Sequence, residues 1–92
     1  MNALAIVLTA GALATAAGPS VAGPKCTEEP TSKWLTEEQM MMKIESLGYK
    51  DIRNFHVSKG RCYEIYGYDK GGRKVEVYFH PISGEIVEAK VQ

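Results

Sequence analysis

The sequence has no excess of either charge, because 11 lysine and arginine residues are balanced by 11 aspartate and glutamate residues. A basic patch or stripe is the electrostatic signature of a protein that binds nucleic acid. The balanced composition indicates no such patch, and we expect no nucleic acid partner. With 92 residues, the chain is long enough for one domain at most.

Motifs that carry catalysis are also missing from the sequence. There is no G-x-S-x-G nucleophile elbow, no H-E-x-x-H zinc motif and no glycine-rich loop between a strand and a helix. The glycine pair Gly71-Gly72 lies at a predicted hairpin tip, which makes it a poor phosphate cradle. A binding role is therefore favoured over an enzymatic one, and no cofactor is expected.

Charge is absent from the first part of the chain, residues 1–22. The apolar run Ala3–Ala17 is shorter than the ~20 residues needed to cross a bilayer. Gly18-Pro19 then interrupts it, and Ser20-Val21-Ala22 offers the small residues of a cleavage site. We interpret residues 1–22 as a secretory signal peptide cleaved near Ala22, although it lacks the usual basic residues at its start. A retained anchor and a buried helix are the alternatives.

Cleavage at that point predicts a periplasmic or secreted protein that has no membrane attachment. The chain has two cysteines, Cys26 and Cys62. In an oxidising compartment an even number of cysteines indicates a disulfide, and one that spans residues 26–62 stabilises the fold by ~4 kcal/mol in chain-entropy terms. A reactive thiol pair is the alternative, but redox pairs usually lie closer together in sequence.

One helix is predicted, from Glu37 to Leu47. Thr36 and Gln39 have the spacing of a capping box, in which each residue binds the backbone amide of the other. Gly48 follows the last helical residue, where glycine is the favoured C-terminal cap. The apolar residues of one face recur at helical spacing, as Met40, Ile44 and Leu47.

Four strands are predicted after the helix, because apolar and polar residues alternate. The first runs from Asp51 to Ser58, and the stretch from Cys62 to Val87 holds further strands with turns at residues 69–72 and 80–84. The last strand begins at residue 85 or 86. A glycine in each turn supplies the left-handed backbone conformation.

These elements predict an α+β fold at residues 34–92: an N-terminal helix packed on one face of a four-stranded antiparallel β-meander. Residues 23–33 form an extended lead-in with Cys26. Alternation places Cys62 on the face opposite Tyr63, so either the lead-in wraps around the sheet edge or a bulge near Gly60-Arg61 rotates Cys62. Trp34 closes the edge of a core whose predicted members are Leu35, Met40, Ile44, Leu47, Phe55, Val57, Tyr63, Ile65, Val75, Val77, Phe79, Val87, Ala89 and Val91.

The sheet face away from the helix is the unusual feature of the sequence. Its predicted residues are His56, Glu64, Tyr66, Tyr68, Glu76, Tyr78 and His80. In the predicted register Glu64 lies opposite both His56 and Glu76, and Glu76 lies opposite Lys90. A metal or acid–base site is one interpretation, and a solvated cross-strand charge ladder is the other. We favour the ladder, because an open sheet gives no pocket and zinc needs at least three convergent ligands.

Three tyrosines of this face, Tyr66, Tyr68 and Tyr78, are the candidate contact surface for a partner. Tyrosine is enriched at interfaces because it combines a large apolar ring with a polar tip. The alternative is that they are present only because aromatic residues favour strands.

Residues of the predicted strands and turns fit the pattern of a known family: Tyr63, Glu64, Ile65, Asp69, Gly72, Val75, Val77, Pro81, Gly84, Glu85 and Ile86. On these residues the chain from Trp34 to Ala89 resembles a PepSY domain, especially the small secreted stand-alone bacterial members. His80 stands where aspartate is usual, and Ser83 where threonine is usual. Both departures keep the turn, but His80 is a poorer acceptor for turn amides than aspartate.

The resemblance implies an α+β fold and a role near peptidases, because PepSY domains occur in propeptides of secreted metallopeptidases and in membrane-associated proteins. A peptidase-inhibiting or protein-binding role has been proposed for them, and no catalytic residues carry over. We therefore expect an exported, non-enzymatic protein-binding module whose partner is a peptidase or an envelope protein, bound at an edge strand or at the tyrosine face. The alternatives are a small-ligand or metal sensor that uses the histidines and glutamates of this face, and a self-associating structural domain.

Overall fold

The computed structural model describes residues 23–92, and the predicted signal peptide lies outside the described residues. Within them the helices and strands are a 3₁₀ turn at Thr31–Lys33, α1 at Glu37–Ser46, β1 at Lys50–Val57, β2 at Tyr63–Tyr68, β3 at Lys74–Phe79 and β4 at Ile86–Val91. All neighbouring strands are antiparallel, in the order β1-β2-β3-β4. The predicted α+β fold, with one helix and a four-stranded meander, is confirmed.

The capping box at the start of α1 is present as predicted. The amide of Gln39 donates to Thr36 Oγ1 at 3.0 Å, and the amide of Thr36 donates to Gln39 Oε1 at 2.8 Å. The helix ends at Ser46, one residue before the predicted end, because Leu47 is the cap. Gly48 follows with φ of 97°, in the left-handed region that terminates helices.

The core lies between α1 and the two central strands. Its buried cluster consists of Met40, Ile44, Tyr63, Ile65, Val75, Val77 and Phe79, and Trp34, Leu35 and Phe55 pack against it half-buried. Trp34 meets the Tyr63 ring edge-on, with centroids 5.4 Å apart, as expected for a residue at the core margin.

Five residues of the predicted core are exposed: Leu47, Val57, Val87, Ala89 and Val91. For the four strand residues the reason is geometric. An α-helix with its side chains is about 10 Å wide, and strands lie about 4.8 Å apart, so a single helix covers two strands well and leaves the outer strands of a four-stranded sheet uncovered. Val91 on β4 consequently keeps 57% of its surface exposed.

The lead-in passes around the end of the sheet at the β1–β2 turn, and the predicted bond between Cys26 and Cys62 is present. The amide of Cys26 donates to the Gly60 carbonyl at 2.9 Å. Further along, the amide of Leu35 donates to the Pro81 carbonyl at 2.8 Å, which brings the chain to the helix side. Wrapping of the lead-in is therefore what brings Cys26 to Cys62.

Arg61 fastens the lead-in a second time. Its guanidinium donates to the carbonyl of Glu29 at 2.6 Å and to the carbonyl of Thr27 at 3.2 Å. The same group lies 5.0 Å from the centre of the Trp34 ring, within cation–π distance. Arg61 adopts φ of 65°, which indicates a tight turn that is held by these contacts.

Candidate functional site

The register between β2 and β3 differs from the prediction by two residues. Glu64 pairs with Tyr78, and Tyr66 pairs with Glu76. The difference arises because the whole of Asp69–Arg73 lies in the turn, where one carboxylate oxygen of Asp69 accepts from the amides of Gly71 and Arg73 at 2.9 Å each. The predicted placement of Glu64 directly opposite Glu76 is therefore wrong. The pairings of His56 with Glu64 and of Glu76 with Lys90 are as predicted.

Five side chains meet on the face away from the helix and form the outer-face cluster: His56, Glu64, Tyr66, Glu76 and Tyr78. His56 Nε2 lies 2.9 Å from Glu64 Oε1. The hydroxyls of Tyr78 and Tyr66 donate to the same oxygen of Glu76, at 2.8 Å and 3.1 Å. One carboxylate thus faces an imidazole, and its neighbour on the next strand accepts from two phenols.

The cluster is partly covered, although it lies on the outside of the sheet. Glu64 is only 5% exposed and Tyr78 only 4%. The lead-in covers Tyr78, since a side chain at Gly23 would meet the Tyr78 hydroxyl at 2.6 Å. Gly23 adopts φ of 83° at this close approach. The predicted exposed tyrosine surface is therefore not formed by Tyr78, and Tyr66 is the exposed aromatic residue of the cluster.

The pKa values of Glu64 and Glu76 are shifted in opposite directions. Burial raises the pKa of Glu64, and its hydrogen bond to Glu76 raises it further. The same hydrogen bond lowers the pKa of Glu76, and the hydroxyls of Tyr78 and Tyr66 lower it further. Burial, with the hydrogen bond to Glu76, raises the pKa of Tyr66 to about 12. The pKa of Glu64 is thus raised and that of Glu76 is lowered, which makes Glu64 the weaker acid of the two.

The cluster lines a shallow depression of about 350 Å³ together with Val57, Ser58 and Lys59. Its polar groups mainly bind one another, which is the bonding that a structural charge ladder requires. Among residues 23–92, no group of three histidine, cysteine, aspartate or glutamate side chains has the geometry to hold a metal ion. The structure thus gives the sensor interpretation no converging ligand set in the described chain.

Two residues of the predicted surface lie away from the cluster. His80 lies in the β3–β4 turn, where its Nδ1 accepts from the amide of Ile82 at 3.2 Å. Tyr68 lies at the far end of β2, with the guanidinium of Arg53 5.7 Å from its ring centre. It lines a second depression of about 270 Å³ with Arg53, Lys74 and Gln92. The structure therefore brings together five of the seven predicted residues.

The two outer strands differ in how they are protected from pairing with another chain. β1 has an irregular register between Lys50 and Asn54, and Asp51 adopts φ of 50°. Irregular backbone and charged residues at a sheet edge hinder the addition of a further strand. β1 is thus the better protected edge over its first half.

β4 presents a regular edge over residues 88–91, since its irregularity lies earlier, opposite Phe79. The amide of Gln92 donates to the Lys74 carbonyl at 2.8 Å, towards β3. Inward and outward backbone groups alternate along a strand. Ala89 and Val91 therefore direct their N–H and C=O groups away from the sheet, and both side chains are exposed.

Comparison with known proteins identifies the family. The chain matches the PepSY_2 family, described as peptidase propeptide and YPEB domain, over residues 4–90. The protein belongs to the PepSY family. Domains of this family are generally non-catalytic modules related to peptidase propeptides. No curated protein and no solved structure matches the chain.

The turns that carry the PepSY resemblance are built by side-chain acceptors. Gly72 and Gly84 adopt φ of 85° and 79°, as their turn positions require. The imidazole nitrogen of His80 accepts a hydrogen bond within the turn, so the turn keeps a side-chain acceptor although histidine stands where aspartate is usual. No helix in the described part of this PepSY chain is long and apolar enough to span a bilayer.

Sequence reasoning missed three contributors to these surfaces. Asn54 hydrogen-bonds His56 Nδ1 and orients its ring. Gly23 lets the lead-in lie against Tyr78, and no local pattern signals that contact. Arg61 is predicted only as a turn residue. It is adjacent to Cys62, so the disulfide brings the lead-in within reach of its guanidinium.

Proposed function

We propose that this PepSY chain is an exported, non-enzymatic module that binds an extended segment of a partner protein along the free edge of β4. The observation that carries the proposal is the state of that edge. Ala89 and Val91 direct backbone donors and acceptors outward, and Ile86, Val87 and Val91 expose between 43% and 57% of their surface. A strand added there gains main-chain hydrogen bonds, and its alternate side chains contact these apolar residues.

A peptidase is the partner class that the family description favours, since the matching family is named for peptidase propeptides. A peptidase-associated module that adds its own strand to an extended segment would hold that segment in place. The predicted signal peptide would place such a module in the same compartment as secreted peptidases. Inhibition follows if the captured segment contributes to substrate binding.

The outer-face cluster serves a different purpose in this proposal. Its carboxylates are bonded to His56, Tyr66 and Tyr78, and the lead-in lies against Tyr78. These contacts hold β1, β2 and β3 together on the side that lacks a helix. The cluster is therefore a structural support for the sheet whose edge binds the partner.

The test is a pull-down from the exporting compartment with the disulfide-bonded protein and two proline variants. Ala89→Pro removes an outward amide from β4 without removing a hydrogen bond to β3. Val57→Pro is the matched control, because Val57 is an exposed valine on the other outer strand, β1. The amide of Ser58, the next residue, donates inward to the Cys62 carbonyl, so the amide of Val57 points outward. Thermal unfolding of both variants checks that they are folded.

We expect the wild type and Val57→Pro to recover the same peptidase in near-stoichiometric amount and to slow it in purified form. Ala89→Pro should lose at least nine-tenths of this recovery. Equal recovery by Ala89→Pro would contradict binding along β4. Recovery of envelope proteins without peptidase activity would keep the binding module and exclude inhibition.

A further inference from the structure

We propose that two copies of this chain pair antiparallel along β4, about a two-fold axis at Ala89, to form one continuous eight-stranded sheet. In this arrangement Glu88 of each copy lies opposite Lys90 of the other. The proposal does not rest on partner binding, since it needs only the free edge and the sequence of β4. It identifies a second copy of the chain as an occupant of that edge.

The backbone limits which registers such a pair can adopt. The hydrogen bond from Gln92 to Lys74 shows that residues 88, 90 and 92 point their backbone groups towards β3. The outward groups are then those of Ala89 and Val91, with Val87 next to the irregularity. In an antiparallel pair these residues must face one another to exchange hydrogen bonds. Only registers that pair Val87, Ala89 and Val91 among themselves are therefore allowed.

The charges choose between the allowed registers. A two-fold axis at Glu88 places two glutamates opposite each other, and an axis at Lys90 does the same with two lysines; like charges directly opposite are destabilising. An axis at Ala89 instead creates two Glu88–Lys90 pairs. These fall at the positions without hydrogen bonds, where the side chains of an antiparallel pair approach most closely.

The same register matches the apolar side of the edge. Ala89 faces Ala89 of the second copy, and Val87 faces Val91 on both sides of it. These residues are on the helix side of the sheet and are exposed in the single chain. Charged residues on an edge strand normally discourage pairing, but here a glutamate and a lysine two residues apart make the edge complementary to itself.

The ion pair between Glu88 and Lys90 within one copy is exposed, and Lys90 Nζ also lies 6.0 Å from the centre of the Tyr78 ring. Lys90 Nζ lies 3.4 Å from Glu88 Oε2, and both side chains are 39% or more exposed. Exposed ion pairs of this kind contribute little to stability. Replacing the Glu88–Lys90 pair within each copy with pairs across the two-fold axis therefore costs little free energy. Dimerisation occupies the edge proposed for partner binding, and the dimer would therefore compete with the partner.

Sedimentation velocity of the disulfide-bonded protein, from about 10 µM to about 1 mM, tests the pairing at concentrations suited to a small interface. The variants are Glu88→Lys, Lys90→Glu and the double exchange. Each single change turns two attractive pairs into two repulsive ones and should raise the dimer dissociation constant by about tenfold or more. The double exchange restores both pairs and should return it to within about threefold of wild type.

Glu85→Lys is the matched control for net charge, because it changes the charge by the same amount as Glu88→Lys and lies before β4, outside the paired residues 87–91. It should leave the dissociation constant within about twofold of wild type. An equimolar mixture of the two single variants should form a mixed dimer. A wild type that stays monomeric throughout, or a dimer that neither single variant weakens, overturns the proposal.

Cross-linking checks the register independently. With the axis at Ala89, the two copies of that residue have Cα atoms about 5.5 Å apart, within disulfide range. Ala89→Cys should therefore cross-link two copies under mild oxidation much faster than Val87→Cys, which faces Val91. Equal rates overturn the register. Partner recovery by the monomeric Glu88→Lys variant is measured separately, so failure of self-pairing and failure of partner binding give different results.

Discussion

Replacing both cysteines with serine, Cys26→Ser with Cys62→Ser, should lower the free energy of unfolding by about 4 kcal/mol. The bond joins residues 36 positions apart, and its main effect is to restrict the unfolded chain. A globular domain of about 70 residues has about 4–10 kcal/mol of stability in total. The double variant should therefore be close to the limit of folding at 37 °C.

Other contacts of the lead-in do not offset the stability that is lost with the disulfide. Without the bond, the lead-in keeps the hydrogen bond from Cys26 N to Gly60 and the two bonds from Arg61. These contacts exist in the folded wild type as well, so they cancel in the comparison. Cys62 is fully buried, and its replacement adds a cost that separates the serine variant from a matched alanine variant.

Urea unfolding followed by Trp34 fluorescence measures the difference, because Trp34 packs between Arg61 and Tyr63 and reports on both the lead-in and the core. The control is wild type in excess reductant, which loses the same loop-closure contribution but does not bury a serine hydroxyl, so it should be more stable than the double variant by that burial cost. A double variant that loses less than about 1 kcal/mol would refute the reasoning, since the loop-closure term would then be absent from the unfolded state.

Two further predictions concern the outer face and the lead-in. Glu64→Gln should become more stable relative to wild type as pH rises above about 4.5. The pKa of Glu64 is raised in the folded protein, so its contribution to wild-type stability is complete below its unfolded pKa and is lost as pH rises through its folded pKa. Urea unfolding from pH 4 to 8 measures the free energy of unfolding, and the same pH dependence of that free energy in both proteins would contradict this. Gly60→Ala should lower the melting temperature by several degrees, because its Cβ would lie 2.0 Å from the Pro24 carbonyl oxygen, whereas Gly71→Ala meets nothing closer than 3.5 Å and should change it little. Equal melting temperatures for these two variants would contradict the close approach.

The sequence predicted the elements whose signals are local. The helix start needed only Thr36 and Gln39, three residues apart, and the turns needed their glycines. The register of β2 with β3 was predicted wrongly because it depended on how many residues the turn absorbs. The Asp69 carboxylate lengthens that turn by binding two amides, a choice that alternation of apolar residues does not reveal.

Contacts between distant parts of the chain account for the other differences. Tyr78 alternates like an exposed residue of its strand, and it is buried because the lead-in, more than 50 residues earlier, crosses over it. Val87 and Val91 alternate like core residues and are exposed because one helix cannot cover four strands. Alternation gives the face of a residue, and the elements that cover that face decide its burial.

The β3–β4 turn ties the edge strand to the start of the helix. His80 Nδ1 accepts from the Ile82 amide at 3.2 Å, and the carbonyl of Pro81 between them accepts from the Leu35 amide at 2.8 Å. The turn directly precedes β4, and Leu35 directly precedes Thr36, the cap of α1. A change that opens this turn would therefore disturb the start of β4 and the start of α1 together.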